Sequence, residues 1–349
     1  MLKIAHTQVG PGHKPFIIAE MSGNHNQSLE RALALVDAAA DAGVDALKIQ
    51  TYTADTMTLN VQTADFVVDD PHGLWKGKTL YELYQQAYTP WEWHAAIFER
   101  CTQRGMIGFS SPFDESAVDF LESLNVPLYK IASFENTDVP LIKRIARTGK
   151  PVIASTGMAS LKDIELLTRT LRENGCNDFV LLKCTSTYPA SPANTNLLTM
   201  PHMAQAFNCL TGLSDHTMGI GVSVAAVALG ACVIEKHFTL KRSDGGVDAA
   251  FSLEPDELAL LVSESEKAWQ ALGQVSYQYS ANEQKMALYK RSIYAAKDIA
   301  AGEEFNRENI RVVRPGKGLA PKHYDAILNK KSAIAIAAGT AIDWCMLAN

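Results

Sequence analysis

No two cysteines in this chain are spaced as Cys-x-x-Cys, the pattern of zinc and redox sites. The six that occur, Cys101, Cys176, Cys184, Cys209, Cys232 and Cys345, are scattered through 349 residues. Several lie in apolar runs such as FVLLKC and ACVIEKH, where a thiol is expected to serve as a small core residue. Nor is there a run of about 18 uncharged apolar residues, and the start MLKIAHTQVGPGHKPF has no apolar stretch before a cleavage motif. Neither a membrane span nor a signal peptide is expected, and the default address is cytoplasmic. Positive charge is scarce as well: 32 basic against 38 acidic residues leave a net charge of −6. That excludes a global field able to hold nucleic acid or an anionic membrane, so any anionic ligand must be met by local groups.

What the chain does contain is length for about two domains and a recurrence of short Val/Ile/Leu-rich runs. These are FIIAE (16–20), ALKIQ (46–50), MIGFSS (106–111), PLYKIAS (127–133), PVIAST (151–156), FVLLKCTS (179–186), CLTGLSD (209–215) and CVIEKHF (232–238). Helical patterns lie between them, the signature of parallel strands buried on both faces. With no Gly-x-Gly-x-x-Gly after the first run, eight such units predict a (β/α)8 TIM barrel rather than a doubly wound sheet. The segment from Tyr52 to Gly105 is too long for an ordinary connection. Its aromatics serve either to pack a small excursion or to meet a substrate. After residue 273 a polar stretch, 274–285, reads as a linker, and the glycine-punctuated segments of 286–349 read as a small β-rich domain expected to dock against a partner surface.

Nearly every apolar run ends in a polar residue: Glu20, Lys48 and Gln50, Ser110 and Ser111, Lys130 and Ser133, Ser155 and Thr156, Thr185 and Ser186, Ser214 to His216, and Lys236 with His237. In a barrel these ends share one rim, where active sites lie. His216 and His237 close consecutive runs, which places two imidazoles side by side. With open positions and nearby carboxylates they suit a divalent cation, manganese first, with magnesium or cobalt as alternatives. A closed zinc cage is disfavoured, since four protein ligands are not in sight. Lys48, Lys130 and Lys236 among rim hydroxyls suit a phosphate or carboxylate. A Schiff-base lysine, the aldolase alternative, stays open.

From FIIAEMSGNHN through KIQTYT, FSSPFD, YKIASFE, STGM, LKCTSTYP, GLSDHT and EKHFTL, the chain resembles the sialic acid synthase family over essentially its whole length. Its tail, with VVRPGKGL, is similar to the SAF (antifreeze-like) domain that closes that family. The insert WKGKTLYELYQQAYTPWEWH (75–94) and Ser186, where sialic acid synthases have asparagine, resemble the pseudaminic acid synthase branch. The resemblance implies a transferase that condenses phosphoenolpyruvate with 2,4-diacetamido-2,4,6-trideoxy-altrose and water to give pseudaminic acid and phosphate. It implies a metal on His216 and His237. Around phosphoenolpyruvate it implies Lys130, Ser133, Ser155, Ser186 and Ser214, with Ser111 a weaker candidate. Facing the sugar it implies Glu20, Lys48, Gln50, Tyr188 and Asp248, with Glu135 between the substrates. Arg314, carried by the SAF domain of a domain-swapped homodimer, would meet the acetamido end of the sugar on the other subunit. Glu20, or alternatively Glu135, is expected to handle the proton. Alternatives are a synthase for N-acetylneuraminate or legionaminic acid, and a non-catalytic carbohydrate-binding protein.

Overall fold

A computed structural model of the chain describes residues 1–68 and 77–348. They form two compact units, Met1–Gly273 and Gln274–Asn349. In the first, eight parallel strands close into a barrel in sequence order. They are β1 (Phe16–Glu20), β2 (Ala46–Thr51), β3 (Ile107–Pro112), β4 (Tyr129–Ile131), β5 (Val152–Ser155), β6 (Phe179–Cys184), β7 (Leu210–Asp215) and β8 (Val233–His237). All eight coincide with the apolar runs of the sequence. Closure is made by β8 on β1, with His237 the register partner of Glu20, which is in turn the partner of Lys48 on β2.

Strand side chains alternate between the lumen and the surrounding helices. The outward row, including Ile17, Ala19, Leu47, Ile49, Leu213 and Ile234, packs under the helices. The inward row is apolar in its lower layers, where Phe16, Ile18, Ala46, Phe109, Ile153, Val180, Leu182 and Val233 fill the barrel. The hairpin Leu2–Ile4 and Thr7–Val9 closes that end, adding Leu2, Ile4 and Val9 to the same cluster. The lumen is therefore polar only at its carboxyl end. Helix starts are specified locally: Asp114 caps Glu115–Ser123, and a Ser160/Asp163 capping box opens Leu161–Glu173, each satisfying amide donors that a helix leaves free.

Among its described residues the long β2–β3 connection holds three α-helices, Ala54–Met57, Leu80–Ala87 and His94–Gln103. Trp75 and Lys76 of the insert motif lie outside the described residues. Trp91 stacks on Phe120 at 4.6 Å, and the buried His94 accepts or donates at Thr51 Oγ1 over 2.8 Å. Those aromatics are packing residues. The second unit has its own core of Ile293, Ile299, Phe305, Ile310, Ile327, Ile336 and Ile342 around the antiparallel pair Ser292–Ala295 and Ile310–Val313. The stretch read as a linker carries a short helix, Ala281–Met286. No helix among the described residues is long and apolar enough to cross a membrane.

Candidate active site at the carboxyl rim

The upper lumen is built around four ionisable side chains from four strands. Lys48 Nζ lies 2.6 Å from Glu20 Oε2 and 3.9 Å from Glu235 Oε1, and Lys130 Nζ lies 3.4 Å from the same Glu235 oxygen. Exposures of 1% for Glu20, 3% for Lys48, 2% for Lys130 and 4% for Glu235 leave almost no solvent contact. Charges so buried persist only if paired, and the alternation of sign supplies the pairing. Burial pulls Lys48 down, but Glu20 and Glu235 outweigh it and hold the ammonium. Burial raises Glu20, with Lys48 offsetting part of the effect. Burial also opposes ionisation of Glu235, yet Lys130 and Lys48 keep its carboxyl below the usual range. Lys130, less closely paired, is lowered by burial.

Hydroxyls and amides complete this floor. Gln50 donates to Glu20 over 2.9 Å, Lys130 to Ser155 Oγ over 2.7 Å, Ser214 to Glu235 over 3.2 Å, and Lys48 to Ser111 Oγ over 3.5 Å. Ser133 Oγ accepts from Gly157 N at 3.2 Å, and a Cβ on Gly157 would collide with Ser133 and Ser186. The glycine is thus what lets the β5 loop approach those two hydroxyls. Glu135 sits on the turn after β4, with Oε2 buried and unpartnered among the described residues. Burial lifts its carboxyl to about 7, against the pull of Lys130.

The two imidazoles stand where the sequence reading puts them. Their ring centroids are 5.3 Å apart at the ends of β7 and β8. His216 Nδ1 is 3.0 Å from the Thr185 carbonyl, an arrangement that places a proton on Nδ1, so that in the neutral ring Nε2 carries the lone pair. Buried His237 Nδ1 has no hydrogen-bond partner among the described residues, and Asp248 Oδ2 is 3.7 Å away. Asp248 accepts from Ser22. Tyr188 packs 4.4 Å from the His216 ring, and Phe251 4.9 Å from that of His237. Among the described residues no cluster of three or more His, Cys, Asp or Glu closes on one point. The donor set fits an open cation site of two imidazoles, with an orphaned buried nitrogen, rather than a cage.

The barrel residues expected to meet the metal and the two substrates stand at or beside this rim; Arg314 lies exposed in the second unit. One rim residue of the sequence reading does not belong. Lys236 is bonded to Asp215 Oδ2 at 2.9 Å and the Thr217 carbonyl at 2.6 Å, on the outward row with Ser223 against the same aspartate. Its neighbour in sequence, Glu235, was missed. The signal was parity: Glu235 precedes His237 by two residues on one strand and so shares its face. Cys184 is buried, as expected of a cysteine in an apolar run, and β6 turns it toward His216, 3.8 Å from Nδ1. Burial would raise that thiol, but His216 draws it down to about 7.

A closed parallel barrel with its buried charges gathered at the carboxyl rim is by class a (β/α)8 enzyme. Comparison with known proteins narrows the class. The NeuB family profile matches residues 35–277 and the SAF domain profile residues 290–348. The chain belongs to the NeuB family. It is 45% identical to the pseudaminic acid synthase of Campylobacter jejuni serotype O:2, over 94% of this chain and 95% of the relative. It is 41% identical to the pseudaminic acid synthase of Helicobacter pylori, over 94% of this chain and 96% of the relative. The N,N'-diacetyllegionaminic acid synthase of Legionella pneumophila is 38% identical, with 94% and 93% covered. Among solved structures, the N-acetylneuraminic acid synthetase of Leptospira borgpetersenii superposes with a TM-score of 0.73 at 31% identity, covering 82% of this chain and 94% of that one.

Proposed function

We propose that this chain is a pseudaminic acid synthase, joining phosphoenolpyruvate to 2,4-diacetamido-2,4,6-trideoxy-altrose with release of phosphate. The observation that carries the reading is the buried Glu20–Lys48–Glu235–Lys130 chain beside paired imidazoles, in a sequence more similar to the two named pseudaminate synthases than to the legionaminate one. In the reaction, C3 of phosphoenolpyruvate bonds to the aldehyde carbon of the open-chain sugar and water adds at C2. The tetrahedral product then loses phosphate by C–O cleavage.

His216 and His237 would hold a divalent cation, manganese first, which when bound supplies Lewis-acid polarisation of the aldehyde. Lys130, Ser133, Ser155, Ser186 and Ser214, with Ser111 at the edge, bind the phosphate and carboxylate groups. Their donors are fixed in a dry lumen, where they stabilise the departing dianion without reorganising. Glu20, Lys48, Gln50, Tyr188 and Asp248 orient the sugar. Of the two carboxyls considered for the proton, Glu135 is the better suited. Glu20 is tied to Lys48 and Gln50, whereas Glu135 has a free oxygen and a pKa near the working range.

The proposal includes a cytoplasmic homodimer in which Arg314 of the partner subunit meets an acetamido group. Light scattering of the full chain, with sugar KM for Arg314→Ala, tests that part. The reading as a whole is tested by phosphate release from phosphoenolpyruvate and manganese against a panel of amino sugars, with mass spectrometry of the product. Preference for N-acetylmannosamine refutes it, and sugar binding without turnover under any divalent metal supports the non-catalytic alternative.

A further inference from the structure

Above the polar floor, on the β2–β3 side of the mouth, stand three aromatic rings to which neither the floor chemistry nor the imidazoles give a task. Tyr52 follows Gln50 by two residues, and Phe113 follows Ser111 by two, so each continues the lumen-facing row of its strand. Tyr84 comes from the insert helix Leu80–Ala87. Tyr52 meets Phe113 edge to face at 5.2 Å and Tyr84 edge to face at 5.7 Å. Phe113 is backing, and Tyr52, only 3% exposed, is the wedge that holds Tyr84 in place. Neither tyrosine hydroxyl has a hydrogen-bond partner among the described residues. Both tyrosines are raised, by burial first: Tyr52 then by Tyr84 and the Asp248 and Glu20 carboxylates, Tyr84 by Glu135. Because Tyr52 and Phe113 continue the lumen-facing rows of their strands, the cluster they form with Tyr84 stands over the site.

Topology says which part of a substrate reaches them. Apart from Ser111, at the edge on β3, the phosphate-binding lysine and hydroxyls come from β4 through β7 and the turns that follow them, and His216 follows β7. In an eight-stranded closed barrel β3 lies opposite β7. An open-chain sugar whose reacting end sits at the imidazoles sends its far end toward β2, β3 and the insert.

We infer that Tyr84, braced by Tyr52, is a specificity-determining residue whose ring face receives the methyl carbon at the deoxy end of the amino sugar. This rests on the proposed function and goes beyond it, since it assigns the choice between a 6-deoxy and a 6-hydroxy sugar to one side chain of the insert. An aromatic face gains from covering a methyl group and leaves a hydroxyl in the same place unpaired, a discrimination of about ten- to a hundredfold.

The experiment compares kcat/KM for the 2,4-diacetamido-2,4,6-trideoxy sugar with that for the same sugar bearing a hydroxyl at C6, in wild type, Tyr84→Ala and Tyr84→Phe. The wild type is expected to prefer the deoxy sugar at least tenfold, Tyr84→Phe to keep the preference, and Tyr84→Ala to reduce it to within about threefold. The KM for phosphoenolpyruvate, unchanged within about twofold, confirms that the floor of Tyr84→Ala is intact. If Tyr84→Ala fails to fold, Tyr84→Leu, apolar but without a flat face, is expected to weaken the preference by several-fold. An unchanged ratio in Tyr84→Ala or Tyr84→Leu overturns the inference. So does its loss in Tyr84→Phe, which would mean the hydroxyl reads the sugar. A wild type that favours N-acetylmannosamine overturns instead the pseudaminate reading on which the inference stands.

Discussion

Replacing Glu135 by Gln is expected to make the protein less sensitive to alkaline pH. Burial lifts this carboxyl from an ordinary value of 4.5 to about 7 in the folded chain. Between those values the unfolded chain has already lost the proton that the folded chain still holds. The stability associated with the protonated group is complete below about pH 4.5 and is lost as the pH rises through 7. The cost to the wild type at pH 8 relative to pH 4.5 is roughly 3 kcal/mol at most, since each unit of displacement is about 1.4 kcal/mol. Glutamine has no proton to lose, so the difference in unfolding free energy between variant and wild type should shift by about 2 to 3 kcal/mol in favour of the variant between pH 4.5 and 8. Taking that difference of differences cancels packing effects that do not depend on pH. Urea unfolding followed by tryptophan fluorescence measures it. If Glu135 also moves the proton, the variant loses the limb of kcat/KM near pH 7. A gap between the two proteins that stays constant across the range would refute the burial argument. Stability gained together with turnover lost is the expected signature of a carboxyl kept unpaired for chemistry.

Gly157→Ala should raise the KM for phosphoenolpyruvate at least tenfold with circular dichroism unchanged, because the new methyl group displaces Ser133 and Ser186; an unaltered KM would show that the β5 loop yields freely. Lys236→Met should cost about 3 to 5 kcal/mol by leaving Asp215 buried without its cation, yet keep kcat per folded molecule. A selective loss of kcat would return Lys236 to the site. Dialysis against EDTA should abolish phosphate release and manganese restore it, while His237→Ala removes the restoration; full activity after chelation would refute the two-histidine assignment.

Much of this was legible in the linear chain, because a strand buried on both faces writes an uninterrupted apolar run. The eight runs, their polar ends and the pair His216/His237 needed only the known geometry of a barrel to be gathered at one rim. Glu235 and Lys236 show where that reading stopped. Both lie in the run CVIEKHF, both are ionisable, and their roles depend on which face the strand turns inward. Counting by two from His237 would have selected Glu235, but only if His237 itself were known to face the lumen. Cys184 is buried as its apolar flanks imply, but those flanks describe its strand, not the imidazole that β7 brings to within 3.8 Å. The insert is the extreme case. Its aromatics look alike in sequence, yet Trp91 packs on a neighbouring helix while Tyr84 packs edge to face on Tyr52, at the end of a lumen-facing row. Fold class, strand count and the residue types available for chemistry were thus determined locally, through periodicity and propensity. Which charge meets which, and which carboxyl keeps its proton, was decided by barrel closure, which sets distances between residues far apart in sequence and removes the water that would otherwise screen them.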